Sequence, residues 1–208
     1  MIPLEGLNDQ HLDFLRELEN IGSSHAVTAL SSMLGESIGL SVARASFCGL
    51  SDISGIFHGP EAIVAAVLVE LSGDINGHLL MLLDMEDAQR LVDSAIRAAD
   101  IDEEQTAAFP SEMQYSAALE VANILCGAYV TAICDLTGFN IQCTPPSMAI
   151  DMYGAVMNLL ACRYGELCDV VLLLEAEFRD ELHHVSGRIF LLSDSDSYER
   201  LLERMGLI

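Results

Sequence analysis

The chain writes much of its first half a second time, and that repetition restricts the folds open to it. The stretch D-F-L-R-E-L-E-N-I-G carries Asp13, Glu17 and Asn20, and S-A-A-L-E-V-A-N-I-L carries Ser116, Glu120 and Asn123 at a constant offset of 103. At the same offset Val27-Thr28-Ala29 meets Val130-Thr131-Ala132, and Gly35 meets Gly138. Further on the offset becomes 110, where Gly77 to Asp84 falls on Gly187 to Asp194 and Arg90-Leu91 on Arg200-Leu201. The seven-residue change fits an insertion near 151–166. A period this long implies a duplicated half-domain rather than a solenoid of short repeats.

Each half reads as the same series of elements. A long helix (about 9–34, then 111–137) leads into a strand (38–48, then 139–149). Two apolar, β-branched runs follow (62–72 and 78–84, then 168–178 and 185–193), and a short amphipathic helix closes the half (85–98, then 195–206). Ser111, after Pro110, is the expected N-cap of the second long helix. The second half adds M-Y-G-A-V-M-N-L-L-A-C-R-Y at 152–164, read as an extra short helix, and the Gly-containing gap Ser72–Gly77 predicts an antiparallel hairpin.

The expected fold class is α+β. It is an internally duplicated, pseudo-twofold domain with a mainly antiparallel sheet, two long motif-bearing helices and shorter helices packed against it. The acidic linker near 98–106 is short, so residues 1–208 are expected to form a single domain of two repeats, about 8–100 and 107–206.

Charge narrows the function classes. Nine basic residues face 32 acidic ones, for a net charge of −23, and every basic residue is Arg. Nucleic acid and anionic membrane both require a cationic face, so neither is an expected partner. The absence of Lys excludes a Walker A loop, a Schiff base on this chain and a catalytic Lys base. An acidic surface suits a high-salt cytoplasm, where a Debye length near ~3 Å at 1 M screens self-repulsion. An acidic protein of ordinary salt is the other reading.

Half of the residues are apolar, enough for a substantial core. No uninterrupted apolar run approaches the roughly 20 residues of a membrane span. The N-terminus, M-I-P-L-E-G-L-N-D-Q, lacks the basic and apolar regions of a signal peptide, so a cytoplasmic location is expected. The six cysteines show no C-x-x-C spacing, and Cys126 and Cys134 read as small hydrophobes within a helix. His183 and His184 are adjacent, which is poor chelating geometry, so no metal site is expected. Neither G-x-S-x-G, H-E-x-x-H nor a Gly-rich phosphate loop occurs.

The polar triplets remain to be explained. Positions i, i+4 and i+7 of a helix lie on one face, so Asp13-Glu17-Asn20 and Ser116-Glu120-Asn123 each form a stripe. Around Glu120 and Asn123 the sequence is otherwise apolar, so this helix reads as mostly buried. An unpaired buried carboxylate would cost several kcal/mol. Two readings stay open: a buried carboxylate–amide network joining two helices, or a narrow wet stripe that enters another molecule's site. The small residues after each Asn (Gly22, Ser23, Ser24; Gly127, Ala128) predict close helix packing.

With these residues in view, the sequence resembles the CheC/CheX/FliY chemotaxis phosphatases. Their motif is Asp or Ser, three residues, Glu, two residues, Asn, then 22 residues and Pro. The second copy matches in full through Ser116, Glu120, Asn123 and Pro146; the first matches at Asp13, Glu17 and Asn20, but Ala43 holds the Pro position. Two motif copies make the chain similar to CheC-like members.

The resemblance implies dephosphorylation of a CheY-type response regulator. Glu17, Asn20, Glu120 and Asn123 would be catalytic, Asp13 and Ser116 would face the partner, and Pro146 would shape the chain. Each Asn would hold the attacking water, and each Glu would pair with a basic group of the regulator. Mg²⁺ would be carried by the regulator, with no cofactor bound by this chain. A CheD deamidase is a second partner the resemblance implies. The alternative function is a non-catalytic interaction protein, either a CheD adaptor or a module like those of the flagellar switch.

Overall fold

The computed structural model describes residues 9–35, 37, 39–49, 59–100, 110–164, 170–179, 184–204 and 206. The N-terminal segment 1–8, linker residues 101–106, Cys168 and His183 lie outside the described residues. The helices are α1 (Asp9–Leu34), α2 (Met85–Ala98), α3 (Glu112–Thr137), α4 (Tyr153–Tyr164) and α5 (Ser195–Arg204). Strands β1 (Gly39–Gly49), β2 (Ile63–Gly73) and β3 (Gly77–Asp84) precede α2. Strands β4 (Ile141–Cys143) and β5 (Ser147–Met152) lie between α3 and α4, and β6 (Val170–Arg179) and β7 (His184–Ser193) precede α5. The extra helix expected at 152–164 is α4.

One sheet carries all the described strands in the order β1-β6-β7-β3-β2-β4, with β5 also paired to β2. Every ladder is antiparallel. When each strand is exchanged for its counterpart in the other half, the order reads the same from either edge. At the central seam Leu80 pairs with Phe190, the residue 110 positions further on. His78 to Leu83 of β3 and Ile189 to Ser193 of β7 are buried at consecutive positions. Alternate residues of a strand point to opposite faces, so neither face of the sheet's centre meets solvent.

The predicted hairpin is β2–β3, running from Val64 opposite Asp84 to Leu71 opposite Gly77. It closes directly on the chain leaving α3. Gly73 has a φ of 112°, and a Cβ there would stand 2.4 Å from the Asn140 carbonyl oxygen. Only glycine permits both that conformation and that approach. Asp74 fixes the junction, accepting from the Asn140 amide at 2.8 Å.

One expected strand is two. The run at 139–149 is broken into β4 and β5 by Thr144-Pro145-Pro146, because two consecutive prolines cannot donate to a ladder. Leu71 pairs with Cys143 and Leu68 with Ser147, so three residues here oppose two on β2, which is a bulge. Side chains replace the lost ladder bonds. Glu70 N donates to Thr144 Oγ1 at 3.1 Å, and the Ser147 hydroxyl donates to the Leu68 carbonyl at 3.3 Å. In the first half β1 is continuous, yet its register also slips by one, between Leu40 and Val42. Ser41, the residue left over there, is the counterpart of Thr144 at offset 103. Ala43 then sits in the ladder opposite Ala176.

Helix α3 is the framework for the second motif, and both its ends are fixed. Ser111 is its N-cap in a capping box: Gln114 N donates to Ser111 Oγ at 3.1 Å, and Ser111 N donates to Gln114 Oε1 at 2.9 Å. Gly138 ends the helix in the left-handed conformation, its amide donating to the Cys134 carbonyl at 2.7 Å. Arg204 of α5 donates from Nε to the Thr137 carbonyl at 2.6 Å. Among the described residues α3 is the one helix long and apolar enough, by length and composition, to cross a membrane. Its apolar side chains, among them Val121, Leu125, Tyr129 and Ile133, are buried within the fold.

Helix α1 packs along α3. The prediction of close packing by small residues holds at Gly22, Ser23 and Ala128, all buried. It fails at Ser24, which is exposed, and at Gly127, where an added Cβ would meet nothing within 4 Å. Those two residues lie on the outer face of each helix, where Thr28 and Thr131 return their hydroxyls to the Ser24 and Gly127 carbonyls at 2.8 Å.

Candidate functional site

Both polar stripes face water. Asp13, Glu17 and Asn20 on α1 are exposed, and so are Ser116, Glu120 and Asn123 on α3. This excludes the buried carboxylate–amide network and leaves the wet stripe. The cause is local: Leu18, Val121, Ala122 and Leu125 next to the stripes turn inward and are buried. The apolar residues that suggested burial of α3 therefore belong to its other faces. Neither Glu nor Asn pays a desolvation cost in the free protein, so both are available to a partner.

The second stripe stands over a cavity of about 680 Å³. From α3 it is lined by Met113, Ser116, Ala117, Leu119, Glu120 and Asn123, and from the bulge region by Cys143, Thr144, Pro145 and Pro146. Ala95, Ile96 and Ala99 close it from the α2 side and Met33 from α1. All four residues of the second motif are thus brought to one place, although 22 residues lie between Asn123 and Pro146. Pro145 and Pro146 interrupt the β2 ladder between Cys143 and Ser147, at the edge of the cavity.

The first motif is brought together only in part. Asp13, Glu17 and Asn20 share the exposed face of α1, while Ala43 continues β1 in its ladder with β6. The bulge at Ser41 is present without any proline, so the strand irregularity beside the motif does not depend on that residue type. Asn20 has its backbone fixed by Ser23, whose hydroxyl donates to the Asn20 carbonyl at 3.2 Å. The hydroxyl of Ser23 is buried against α1 itself, which leaves the Asn20 side chain to the solvent side.

Among the described residues Glu120 is the one charged residue in the cavity lining. Cys143, at its edge, has its thiol pKa raised by partial burial and by the neighbouring Cys134 thiol. Burial, with a smaller push from Cys143, drives Cys126 up to about 12. These thiols stay protonated near neutrality and are poor nucleophiles. Among the described residues no group of three or more His, Cys, Asp or Glu is placed to hold a metal ion.

Sequence reasoning missed the cavity wall. Met33, Ala95, Ile96 and Ala99 come from parts of the chain remote from α3 and carry no motif. The Pro145-Pro146 pair was a readable signal for the broken strand beside the site.

The family model for the chemotaxis phosphatase CheX matches residues 65–162, a span containing the whole second motif. The chain is 28% identical over 203 residues to the CheY-P phosphatase CheC of Bacillus subtilis (strain 168), covering 97% of this chain and 96% of that protein. The crystal structure of Thermotoga maritima FliY superposes with a TM-score of 0.75 at 22% identity, over 96% of this chain and 98% of that one. A CheX structure from Desulfovibrio desulfuricans superposes with a TM-score of 0.52 at 14% identity, over 84% of this chain and 99% of that one. These matches agree with the antiparallel α+β architecture, and the chain is similar to the chemotaxis phosphatase CheX over residues 65–162 and to CheC and FliY over nearly its whole length.

Proposed function

We propose that the protein hydrolyses the phosphoaspartate of a CheY-type response regulator. The observation that carries this reading is the joint exposure of Ser116, Glu120 and Asn123 on a helix fixed at both ends, with Pro146 beside them. The similarity to a CheY-P phosphatase over nearly the whole chain supports it.

The chemistry asks little covalent work of this chain. A phosphoaspartate is a mixed anhydride of a carboxylate and phosphate, already activated toward water. Water forms the new P–O bond, the bond to the aspartyl oxygen breaks, and aspartate, inorganic phosphate and a proton are released. Positioning and electrostatics dominate such transfers. The Asn123 amide oxygen accepts a hydrogen bond from the water and holds it in line with the breaking bond. Glu120 pairs with a cation of the regulator and fixes the helix in the foreign site. Asn20 and Glu17 perform the same roles from α1. Asp13 and Ser116, one turn before each Glu, contact the partner at the edge. Mg²⁺ belongs to the regulator.

Rigidity gives these residues their value. An amide on a mobile loop would lose ordering entropy when it engaged the water, whereas α3 is ordered beforehand by its caps and by α1. Phosphate release from phosphorylated CheY, measured with and without catalytic amounts of the protein, tests the reading. Acceleration with multiple turnovers is expected. Binding of phosphorylated CheY without acceleration would instead establish a non-catalytic interaction protein.

A further inference from the structure

The roles assigned to Glu120 and Asn123 are exercised at the surface and do not require a cavity beneath them. The hollow of about 680 Å³ is nevertheless there, and its α2 wall is apolar: Ala95 and Ile96 are only 5% and 6% exposed. Met113, 44% exposed, stands at its mouth one turn before Ser116.

We propose that this cavity is a specificity pocket, which takes one bulky apolar side chain of the phosphorylated regulator beside the cation that pairs with Glu120. The proposal rests on the phosphatase reading above and extends it to partner choice. Three observations identify the occupant. The cavity shares Ser116, Glu120 and Asn123 with the proposed docking face, so a partner that reaches Asn123 covers its mouth. Among the described lining residues the one charge is the Glu120 carboxylate, which admits a cation beside it and offers none to an acidic group. The space exceeds that of any single side chain, so a large apolar group enters without displacing the wall. Regulators with a small or acidic residue at that point would leave the apolar lining wet or bury an unpaired charge, and either would reject them.

The test fills the pocket from its edge. Ala99 is exposed and caps α2 in an ordinary right-handed conformation, so Ala99→Phe leaves the fold intact, to be verified by an unchanged melting temperature. Binding is measured with CheY loaded with Mg²⁺ and beryllofluoride, a stable mimic of the acyl phosphate, and turnover with phosphorylated CheY. Ala99→Phe is expected to weaken binding about tenfold, equivalent to about 1.4 kcal/mol, while turnover at saturation stays within about twofold. Met113→Ala, which trims the mouth, is expected to weaken binding about threefold. Asn123→Ala is expected to show the opposite split, with turnover lowered to a partial level and affinity nearly kept.

Wild-type affinity in both cavity variants, with the Asn20→Ala/Asn123→Ala double variant inactive, would overturn the pocket and leave the phosphatase reading standing. A change in the protein's own mass in solution on Ala99→Phe would also overturn it, since the cavity would then be a self-contact. A wild-type protein that neither binds nor hydrolyses would overturn both.

Discussion

Gly22 of α1 lies against the ring of Tyr129 in α3: a Cβ at Gly22 would stand 2.5 Å from Tyr129 Cδ1 and 2.7 Å from Cε1. Tyr129 is fully buried, so its ring has no room to swing aside. Gly22→Ala is expected to push the helices apart and destabilise the protein by about 1–3 kcal/mol, the usual cost of overpacking. The readout is a lower urea midpoint at unchanged slope. A wild-type midpoint would contradict this contact.

Gly127 gives the reverse prediction. It is a helix-interior glycine with nothing within 4 Å of an added Cβ. Gly127→Ala is expected to stabilise the fold by about 1 kcal/mol, the difference in helix propensity. A loss of stability would mean that the outer face of α3 is packed rather than open.

Alkaline stability follows from Cys126. Burial raises its folded-state pKa to about 12 from the thiol's ordinary 9.0, so above pH 9 the unfolded chain loses a proton that the folded chain keeps. The thiol's contribution is fully present below pH 9 and declines as pH rises toward 12, by up to about 1.4 kcal/mol per unit. Cys126→Ala should flatten this decline in denaturation curves taken between pH 9 and 11. Equal slopes for variant and wild type would contradict the assignment.

The repeat made most of the architecture legible. Offsets of 103 and 110 matched helices to helices and strands to strands, and α4 was evident from its apolar run. The strand expected at 139–149 is two short strands, because Pro145 and Pro146 cannot continue a ladder. The site was legible as residue types but not as an environment. The apolar run from Ala117 to Ala128 suggested burial, yet Glu120 and Asn123 occupy a face of α3 that is exposed. The cavity was not legible, because Met33 and Ala95 reach it only through tertiary packing.

Salt dependence tests the acidic surface. At a net charge of −23 the folded chain repels itself. Raising salt from about 0.1 M to 1 M shortens the Debye length from ~10 Å to ~3 Å. The melting temperature is expected to rise by several degrees over that range, and a flat response would show that self-repulsion does not limit stability.

The most direct test of the central claim is single-turnover phosphate release from phosphorylated CheY with four proteins: wild type, Asn20→Ala, Asn123→Ala and the double variant. Both substituted residues lie on exposed helix faces, and the changes should leave the melting temperature unchanged. The account predicts partial activity in each single variant and only CheY's own slow release in the double variant, a loss of at least about tenfold for removing a group that positions the water. A double variant as active as wild type would contradict it.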